Sequence, residues 1–432
     1  MEKRIVITGL GAVTPIGNDV ITFWQSLVEG HSGVGLMKAD TSDEKLPYFV
    51  ADVKDFDATK TGLHSRKLKL MGRTAQLMLG AVAQASREAD LDSSAMENLA
   101  ERCGIIVGVG MLNADITEFA KTITAARKNL TNETDPIDVE SFSKAAETEM
   151  VPLWLLRHIP NMVAAHSGIS LKTRGISNTI MNGCASAAFA VGEAARIIRR
   201  GDADVMFAGG VDARTNTFAV LRYLELGWQT KETDDSTSAS KPFDHNATGF
   251  VSGEASGVIV LESLEHAEKR GAKILAEIGN CGFGNDAFDV LRPEPEGRGL
   301  TRAISKCVST EDKNFPLPEV VFSSASGVPE YDSAAAYALR NSFEKFVFNP
   351  TVTATRSILG HTHAASFALD AIAAVKSLDE NIVPPTLNLL NPIADFDFVT
   401  KTSREMPISS ALVTGYGIGG HAGAVTLRRF EQ

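Results

Sequence analysis

The chain has 432 residues, of which 44% are hydrophobic and 22% are charged, so it is long enough to bury a large core. A formal net charge of −11 argues against nucleic acid as a partner. No apolar run reaches the ~18 residues that would predict a membrane span. The four cysteines show no CxxC spacing, which predicts a reduced, cytoplasmic protein.

Strand and helix patterns alternate along the first part of the chain. Residues 4–8 form an apolar strand that leaves no room for a signal peptide, and the glycine-punctuated loop 9–17 follows it. Because no GxGxxG motif leads into a helix there, we expect no nucleotide cofactor. The Ala-rich segment 73–89 predicts a helix, and 104–110 predicts a buried strand with a glycine end. The polar segment 113–148 indicates an insertion or an elaborated loop.

The segment around Cys184 is the one on which the rest of the interpretation depends. A β-branched approach ends at the tight turn Asn182-Gly183, and the Ala-rich residues 185–199 predict a helix. Cys184 therefore lies where a strand meets a helix N-terminus, an electropositive setting that favours a thiolate and an oxyanion. This setting predicts a nucleophile with a lowered pKa; a buried cysteine that packs as a small hydrophobe is the alternative.

Together with the turn, strand and glycine corner at 200–210, these residues resemble the β-ketoacyl-acyl-carrier-protein synthases, condensing enzymes of the thiolase fold. A second block at 241–262 is similar to the family's Pro-Phe-Asp…Gly-Phe-Val…Gly-Glu pattern. The resemblance implies an α/β protein with the thiolase fold, a duplicated five-layer α/β/α/β/α body. It implies an N-terminal half at 1–260 that carries Cys184 and a C-terminal half at 261–432, without a linker between them.

The family's mechanism implies a cysteine nucleophile and two histidines, which bind a malonyl thioester carbonyl and assist its decarboxylation. When Pro329 and Asp332 are aligned with the family's Pro and Asp, Ser324 replaces the first histidine. No histidine lies between His266 and His361 to take its place in the sequence. Since serine supplies neither the charged donor nor the basicity of an imidazole, we expect the isolated chain to condense poorly or not at all.

The second histidine of the family pattern is present as His361. It follows Ser324 by 37 residues (361 − 324), which is the spacing that the family pattern implies. Arg356 occupies the lysine position of the family's Lys-Ser…Gly-His pattern and keeps the charge of lysine but not its point geometry. His363 lies outside the pattern, so we predict that it contacts the site residues and not the substrate. His166 is predicted to be a structural histidine.

The glycine-rich loop at 415–420 resembles the family's Phe-Gly-Phe-Gly-Gly-Thr-Asn segment. Ile418 falls on the position of a gating aromatic residue. The resemblance implies that its backbone N–H joins the N–H of Cys184 in an oxyanion hole. An ordinary glycine-rich β-turn is the alternative. Residues 285–289 depart from the Asp-Ala-Tyr-His that the family usually carries.

Residues 321–332 resemble another branch more closely, the chain-length factor or β subunit of type II ketosynthase heterodimers, which lacks the first histidine. That branch usually lacks the cysteine as well, whereas Cys184 is present. The leading hypothesis is a ketosynthase-like subunit of a type II polyketide or fatty-acid synthase that pairs with an active ketosynthase and shapes the acyl tunnel. One alternative is a self-sufficient synthase that uses Cys184 and His361. Another is a non-catalytic paralogue that docks a carrier protein.

The resemblance also implies the partners of the chain. These are an acyl carrier protein and either a ketosynthase subunit, in a heterodimer, or a second copy of the chain, in a homodimer. No cofactor and no metal are expected. The apolar region 151–163, with the cluster 154–156 exposed on a monomer, is predicted to form the dimer contact. Met111 and Leu112 are predicted to face the partner's acyl tunnel.

Overall fold

The described part of the chain alternates strands and helices from end to end. The computed structural model describes residues 3–40, 44–61, 65–91, 93–110, 116–128, 136–151, 153–232, 234–308 and 316–431. The strands are β1 (Ile5–Val13), β2 (Gly35–Lys38), β3 (Lys45–Ala51), β4 (Cys103–Val109), β5 (Ser177–Ile180), β6 (Val205–Ala213), β7 (Ser252–Ser263), β8 (Ala276–Asn285), β9 (Val320–Phe322), β10 (Thr351–Thr353), β11 (Ile382–Val383), β12 (Asp397–Phe398), β13 (Arg404–Glu405), β14 (Ser410–Gly417) and β15 (His421–Arg428).

The helices lie between these strands and pack on both faces of the sheet. They are α1 (Val20–Glu29), α2 (Ser65–Leu68), α3 (Arg73–Glu88), α4 (Ser93–Leu99), α5 (Ile116–Lys128), α6 (Val139–Glu149), α7 (Trp154–His158), α8 (Asn161–Leu171), α9 (Ser186–Arg200), α10 (Thr217–Glu225), α11 (Leu264–Arg270), α12 (Arg298–Cys307), α13 (Pro329–Phe343), α14 (Arg356–Leu359) and α15 (Ser366–Glu380).

The strands form two sets with the same order and the same directions. The first set runs β1-β7-β6-β4-β5, and the second runs β8-β15-β14-β9-β10. In each set the first two pairings are antiparallel and the last two are parallel. The sets meet where β1 pairs with β8. A strand order repeated with its directions indicates a duplicated unit, which is the organisation that the resemblance implied.

The hydrophobic core divides into layers on either side of these strand sets. The largest cluster contains the apolar faces of α9 and α15 and the strand faces that cover them. A second cluster packs α3 and α8 on the first strand set, and a third packs α12 and α13 on the second. The order is therefore helix, sheet, helix, sheet, helix. The predicted five-layer α/β/α/β/α arrangement is confirmed.

Small side chains let the central helices approach the strands closely. A Cβ atom added to Gly108 in β4 would lie 2.4 Å from the backbone N of Ala187 in α9, so only glycine fits there. The Ala-rich face of α9 is buried almost throughout its length. This contact places the N-terminal end of α9, and the turn before it, at the carboxyl end of β4. Cys184 is positioned by that packing.

The structure bears on three features that the sequence predicted. The boundary placed at residue 260 falls inside β7, a strand of the first set. The segment 113–148 was expected as an insertion or loop, but its described part forms α5 and α6, where Phe119 and Phe142 pack with ring centroids 5.8 Å apart. Met111 and Leu112 lie outside the described residues. Among the helices described here, none is long and apolar enough to cross a bilayer.

Candidate active site

Cys184 lies in a 3-10 turn, Gly183–Ala185, that links β5 to α9. Gly183 has φ +56°, a left-handed conformation that glycine adopts without a steric penalty. Ser186 holds the turn closed, because its Oγ accepts a hydrogen bond from the N–H of Asn182 (2.8 Å) and donates one to the carbonyl of Gly183 (2.6 Å). The thiol is buried, with 8% of the residue exposed. The local sequence thus fixes Cys184 on a closed turn.

His361 faces Cys184 from the other half of the chain. Its Nε2 lies 3.1 Å from Cys184 Sγ, within hydrogen-bond distance. Backbone hydrogen bonds hold the histidine against β7, since its N–H donates to the carbonyl of Val251 (2.7 Å) and its carbonyl accepts from the N–H of Gly253 (2.9 Å). Gly360, with φ +67°, turns the chain out of α14 just before the histidine. Residues 177 positions apart are brought together in this way.

Burial dominates the acidity of the thiol. Desolvation raises the pKa of Cys184 to about 12, and the charge of Asp212 adds to the shift, while Arg356 and Arg214 oppose it. The expectation of a lowered pKa was therefore wrong. The helix begins only after the turn that holds the thiol, and the helix-end charge does not offset the loss of water. A thiolate must form by proton transfer to a base, and His361 lies in place to accept that proton.

His361 is a neutral imidazole in this setting. Burial, together with the charge of Arg356, holds the pKa of His361 well below its usual value near 6.5. Its Nδ1 is buried and has no hydrogen-bond partner. Because Cys184 Sγ occupies the Nε2 side, the neutral ring that accepts the thiol proton carries its own proton on Nδ1.

Arg356 does not line the cavity, but it contacts residues that position the site. Its guanidinium is buried, with Nη1 2.9 Å from Asp370 Oδ2 and donating to the carbonyl of Ser323 at 2.6 Å. Thr355 Oγ1 donates to the other oxygen of Asp370 at 2.5 Å. The carbonyl of Ser323 precedes Ser324, so Arg356 holds the strand end that delivers Ser324 to the site.

Ser324 follows β9 and lines the same small cavity as Cys184 and His361. Its N–H donates to Thr414 Oγ1 at 3.0 Å, whereas its Oγ is buried and has no hydrogen-bond partner. A buried hydroxyl with an unused donor is uncommon, because burial without a partner costs about 1–3 kcal/mol. The predicted site residue is thus in the cavity, with its hydroxyl available to a ligand.

The glycine-rich loop 415–420 packs against the turn that carries the nucleophile. A Cβ atom on Gly417 would lie 2.8 Å from the Cβ of Cys184, and one on Gly183 would lie 3.5 Å from the carbonyl oxygen of Ile418. Ile418 begins a short 3-10 turn that Gly419 anchors by donating its N–H to the carbonyl of Val290 at 3.0 Å. The loop therefore brings Ile418 next to the turn of Cys184.

The cavity is small and mostly aromatic. It measures about 30 Å³, enough for about two water molecules. Its lining includes Cys184, Ser324, His361, His363, Tyr223, Trp228, Phe250, Tyr331, Tyr416 and Ile418. A larger cavity of about 590 Å³ lies elsewhere and is lined by Arg73, Glu254 and His166, among others. His166 is thus in a different cavity from Cys184.

His363 is the site residue whose position sequence reasoning missed. It was predicted to contact only other site residues. Instead it lines the cavity, and one of its ring nitrogens lies within 4.8 Å of Cys184 Sγ. Its nearness to His361 in the Gly-His-Thr-His segment was the available signal. That signal is weak, because two positions apart in the chain does not fix where a side chain points.

Comparisons with known proteins identify the family of this chain. Family models described as the N-terminal and C-terminal domains of β-ketoacyl synthase match residues 2–267 and 275–390. The chain belongs to the β-ketoacyl synthase family. The 3-oxoacyl-(acyl-carrier-protein) synthase 2 of Synechocystis sp. is 32% identical over 433 residues and is covered to 99%, with all of this chain aligned.

Solved structures of ketosynthases share the fold over their full length. "The ishigamide ketosynthase/chain length factor" superposes with a TM-score of 0.84 at 25% identity, with both chains covered to 100%. A second structure shows a type II polyketide synthase carrier protein "in complex with its ketosynthase bound to the hexaketide". One of its chains superposes with a TM-score of 0.83 at 24% identity, again with both chains covered to 100%. The predicted thiolase-fold ketosynthase architecture is confirmed.

Cys184, His361 and His363 also offer a donor set of one sulfur and two imidazole nitrogens within 4.8 Å of one another. Zinc accepts such ligands. In this member of the β-ketoacyl synthase family, however, Sγ and Nε2 already lie at hydrogen-bond distance in a cavity with room for about two waters. The arrangement therefore suits proton transfer between the thiol and the imidazole.

Proposed function

We propose that the chain is a ketosynthase-type subunit that takes an acyl group from a carrier-protein thioester onto Cys184. The 3.1 Å contact between Cys184 Sγ and His361 Nε2 is the observation that carries this proposal. A nucleophile and a base in hydrogen-bond reach are the minimum requirement for acyl transfer. Membership of the β-ketoacyl synthase family supports the same reaction class.

In the proposed transfer, His361 takes the proton of the Cys184 thiol as sulfur attacks the thioester carbonyl. The bond from carbon to the carrier sulfur then breaks, and the imidazolium returns the proton to the leaving thiolate. The backbone N–H groups of Cys184 and Ile418 bind the oxyanion between these steps, in the roles that the family resemblance implies. The buried, neutral state of His361 suits it to accept a proton and to give it up again.

We propose further that the chain works as a dimer with a second chain of the same fold, a ketosynthase or a second copy. Strand β5 lies at the end of the first strand set, and its first two residues are exposed. Leu153 and Leu155 are 60% and 56% exposed in the single chain. An open strand edge and exposed apolar side chains are each typical of interaction surfaces, because both are unfavourable in water.

A second candidate function is the chain-length-factor role, in which the chain shapes the acyl tunnel of an active ketosynthase. The presence of Ser324 in place of the family's first histidine favours it. Cys184 and His361 in contact favour the first candidate. The two differ in whether Cys184 becomes acylated.

Intact-mass spectrometry of the purified chain with an acyl-carrier-protein thioester tests the first candidate. We expect one acyl group per chain, and we expect none on the Cys184→Ala variant. The same chain mixed with a ketosynthase encoded beside it, and examined by light scattering, tests the dimer. A chain that stays unacylated but forms the mixed dimer would support the second candidate, and a stable monomer would contradict the dimer.

A further inference from the structure

His363 is held in a backbone conformation that non-glycine residues seldom adopt. It opens the 3-10 turn His363–Ala365 before α15 with φ +49°, in the left-handed region. Strained positions of this kind persist where the surrounding structure fixes them, and they cluster at functional sites. We therefore expect the His363 side chain to have a function that offsets this strain.

The contacts of the imidazole fix both its orientation and its proton. Ser252 Oγ donates its only proton to the carbonyl of Arg214 at 2.8 Å, so it accepts a hydrogen bond from His363 Nε2 at 2.9 Å. Nε2 therefore carries the proton. Tyr223 stacks on the ring at a centroid distance of 5.1 Å, and Phe250 contacts it edge-on at 5.3 Å. Ser252, Tyr223 and Phe250 thus contact the ring on three sides.

The clamped ring lies beside the nucleophile. A ring nitrogen of His363 is within 4.8 Å of both Cys184 Sγ and a ring nitrogen of His361. Ser324, whose buried Oγ has no partner, lines the same cavity of about 30 Å³. The space next to the sulfur is thus lined by a hydroxyl with an unused donor and by an imidazole whose N–H donates to Ser252 Oγ.

We propose that His363 is a catalytic residue that, together with Ser324, binds the carbonyl oxygen of a malonyl-type thioester and stabilises the enolate that forms from it. The proposal rests on the acyl-transfer function given above. It gives the role of the family's first histidine to His363, which lies 39 positions beyond Ser324 (363 − 324) in the sequence.

The proposed step is a decarboxylation. The bond between the α-carbon and the carboxylate breaks, CO₂ leaves, and the electron pair forms an enolate whose oxygen carries the negative charge. With an acyl group on Cys184, the enolate carbon attacks that thioester, and the cysteine thiolate departs and takes a proton from water. Without an acyl group, the enolate carbon takes a proton from water and yields the acetyl thioester.

The N–H of His363 has a reason to move from Ser252 to the substrate as the reaction proceeds. A hydrogen bond to an ionised oxygen is roughly twice as strong as one to a neutral hydroxyl. Ser252 accepts the N–H in the free site, and the enolate oxygen becomes the better acceptor as charge develops. The interaction is therefore stronger in the transition state than in the ground state, which is what accelerates a reaction.

CO₂ release from a malonyl-acyl-carrier-protein thioester by the purified chain is the measurement that tests the proposal. His363→Leu removes both ring nitrogens, and we expect it to lower the rate about 10²- to 10³-fold, the usual effect of losing one oxyanion donor. Acylation of Cys184, read by intact mass, should fall less than about threefold, because His361 performs that step. His166→Leu, the same change at a histidine in the other cavity, should alter neither rate.

Ser252→Ala provides a second variant that leaves the imidazole in place. It removes the acceptor that sets the tautomer, and we expect about a tenfold loss of CO₂ release without a loss of Cys184 acylation. Equal CO₂ release by the parent and His363→Leu would overturn the proposal, as would parallel losses of both rates, which indicate a purely structural histidine. Absence of CO₂ release by the parent would overturn it while Cys184 acylation still stands. An unacylated parent that releases CO₂ in a His363-dependent manner would overturn the proposed acyl transfer alone.

Discussion

Two turns at equivalent places in the duplicated fold differ in their first two residues. The turn Gly183–Ala185 precedes α9, and the turn His363–Ala365 precedes α15. Both helices have 15 residues and begin with serine. Both turns open on a left-handed residue, with φ +56° at Gly183 and +49° at His363. The backbone geometry is common to the halves, whereas the side chains are not.

The same turn backbone presents a different chemical group in each half of the fold. In the first turn, glycine adopts the left-handed conformation freely and the next residue, Cys184, carries the chemistry. In the second turn, the next residue is Ala364, and His363 itself occupies the strained position. A left-handed conformation costs an L residue about 1–2 kcal/mol. That cost is accepted at His363, where the side chain lines the cavity.

The largest effect should follow from moving the thiol between the turns. Cys184→Ala removes the nucleophile, and we expect acyl-enzyme formation to fall by on the order of 10³-fold or more. Adding Ala364→Cys to that variant restores a thiol at the equivalent place in the second turn. We expect no recovery, because His361 Nε2 is placed against the first turn, 3.1 Å from Cys184 Sγ. Intact-mass spectrometry after incubation with an acyl thioester measures acylation of the single and the double variant. Cys281→Ala should react as the parent does, and an acyl group on the double variant would contradict the assignment.

Each half also contains a buried arginine–aspartate pair near the site, and breaking either pair should destabilise the fold strongly. Arg356 Nη1 lies 2.9 Å from Asp370, and Arg214 Nε lies 2.8 Å from Asp212. Arg356→Leu leaves a buried carboxylate alone, for which we expect a loss of about 3–5 kcal/mol in the free energy of unfolding.

Urea unfolding measures that loss. Arg214→Leu, the matched change in the first half, should cost a similar amount. The double variant Arg356→Leu with Asp370→Leu should be more stable than Arg356→Leu alone, since no unpaired charge remains. A double variant as unstable as the single one would show that packing, and not charge, explains the loss.

The second turn should make stability depend on pH in the acidic range. Burial, with the charges of His361, Arg214 and Arg222, holds the pKa of His363 well below 6.5. Below pH 6.5 the unfolded chain therefore binds a proton that the folded chain does not, so the free energy of unfolding falls as pH falls. The slope reaches at most about 1.4 kcal/mol per pH unit for one histidine.

His363→Leu should remove that share of the slope between pH 7 and 5. Urea midpoints of parent and variant, taken at several pH values, give the difference. Burial raises the pKa of Asp332 to about 6, which acts in the opposite direction as pH rises through its folded pKa. That contribution is common to both proteins and cancels in the difference. Identical slopes would mean that His363 is as easily protonated in the folded chain as in the unfolded one.

The smallest effect should come from the glycine of the first turn. Gly183→Ala places a Cβ atom 3.5 Å from the Ile418 carbonyl oxygen, an ordinary contact, so only backbone strain opposes it. We expect a loss of about 1 kcal/mol in the free energy of unfolding. Gly227→Ala is the matched control, because Gly227 has φ +71° and open space around it. A clearly larger loss at Gly183 would show that the loop carrying Ile418 cannot move aside.

Much of the fold could be predicted because its signals are local or carried by family motifs. The alternating strand and helix patterns and the Cys184 turn lie in contiguous segments, where apolar periodicity and glycine positions fix the local structure. The segment 113–148 was harder, because its helices α5 and α6 are polar and are stabilised by contacts such as that of Phe119 with Phe142. The many polar residues of the segment hide the apolar spacing of its two helices in the sequence.

The motifs of the sequence were enough to give the family and the five-layer duplicated fold. Their spacing also predicted Cys184, His361 and Ser324 as site residues. Only the tertiary structure decided that the Cys184 pKa is raised and that His363 lines the cavity. Both depend on what surrounds a side chain. Desolvation comes from every element packed around the thiol, and the His363 ring is directed by Ser252, a residue 111 positions away. No short stretch of sequence contains that information.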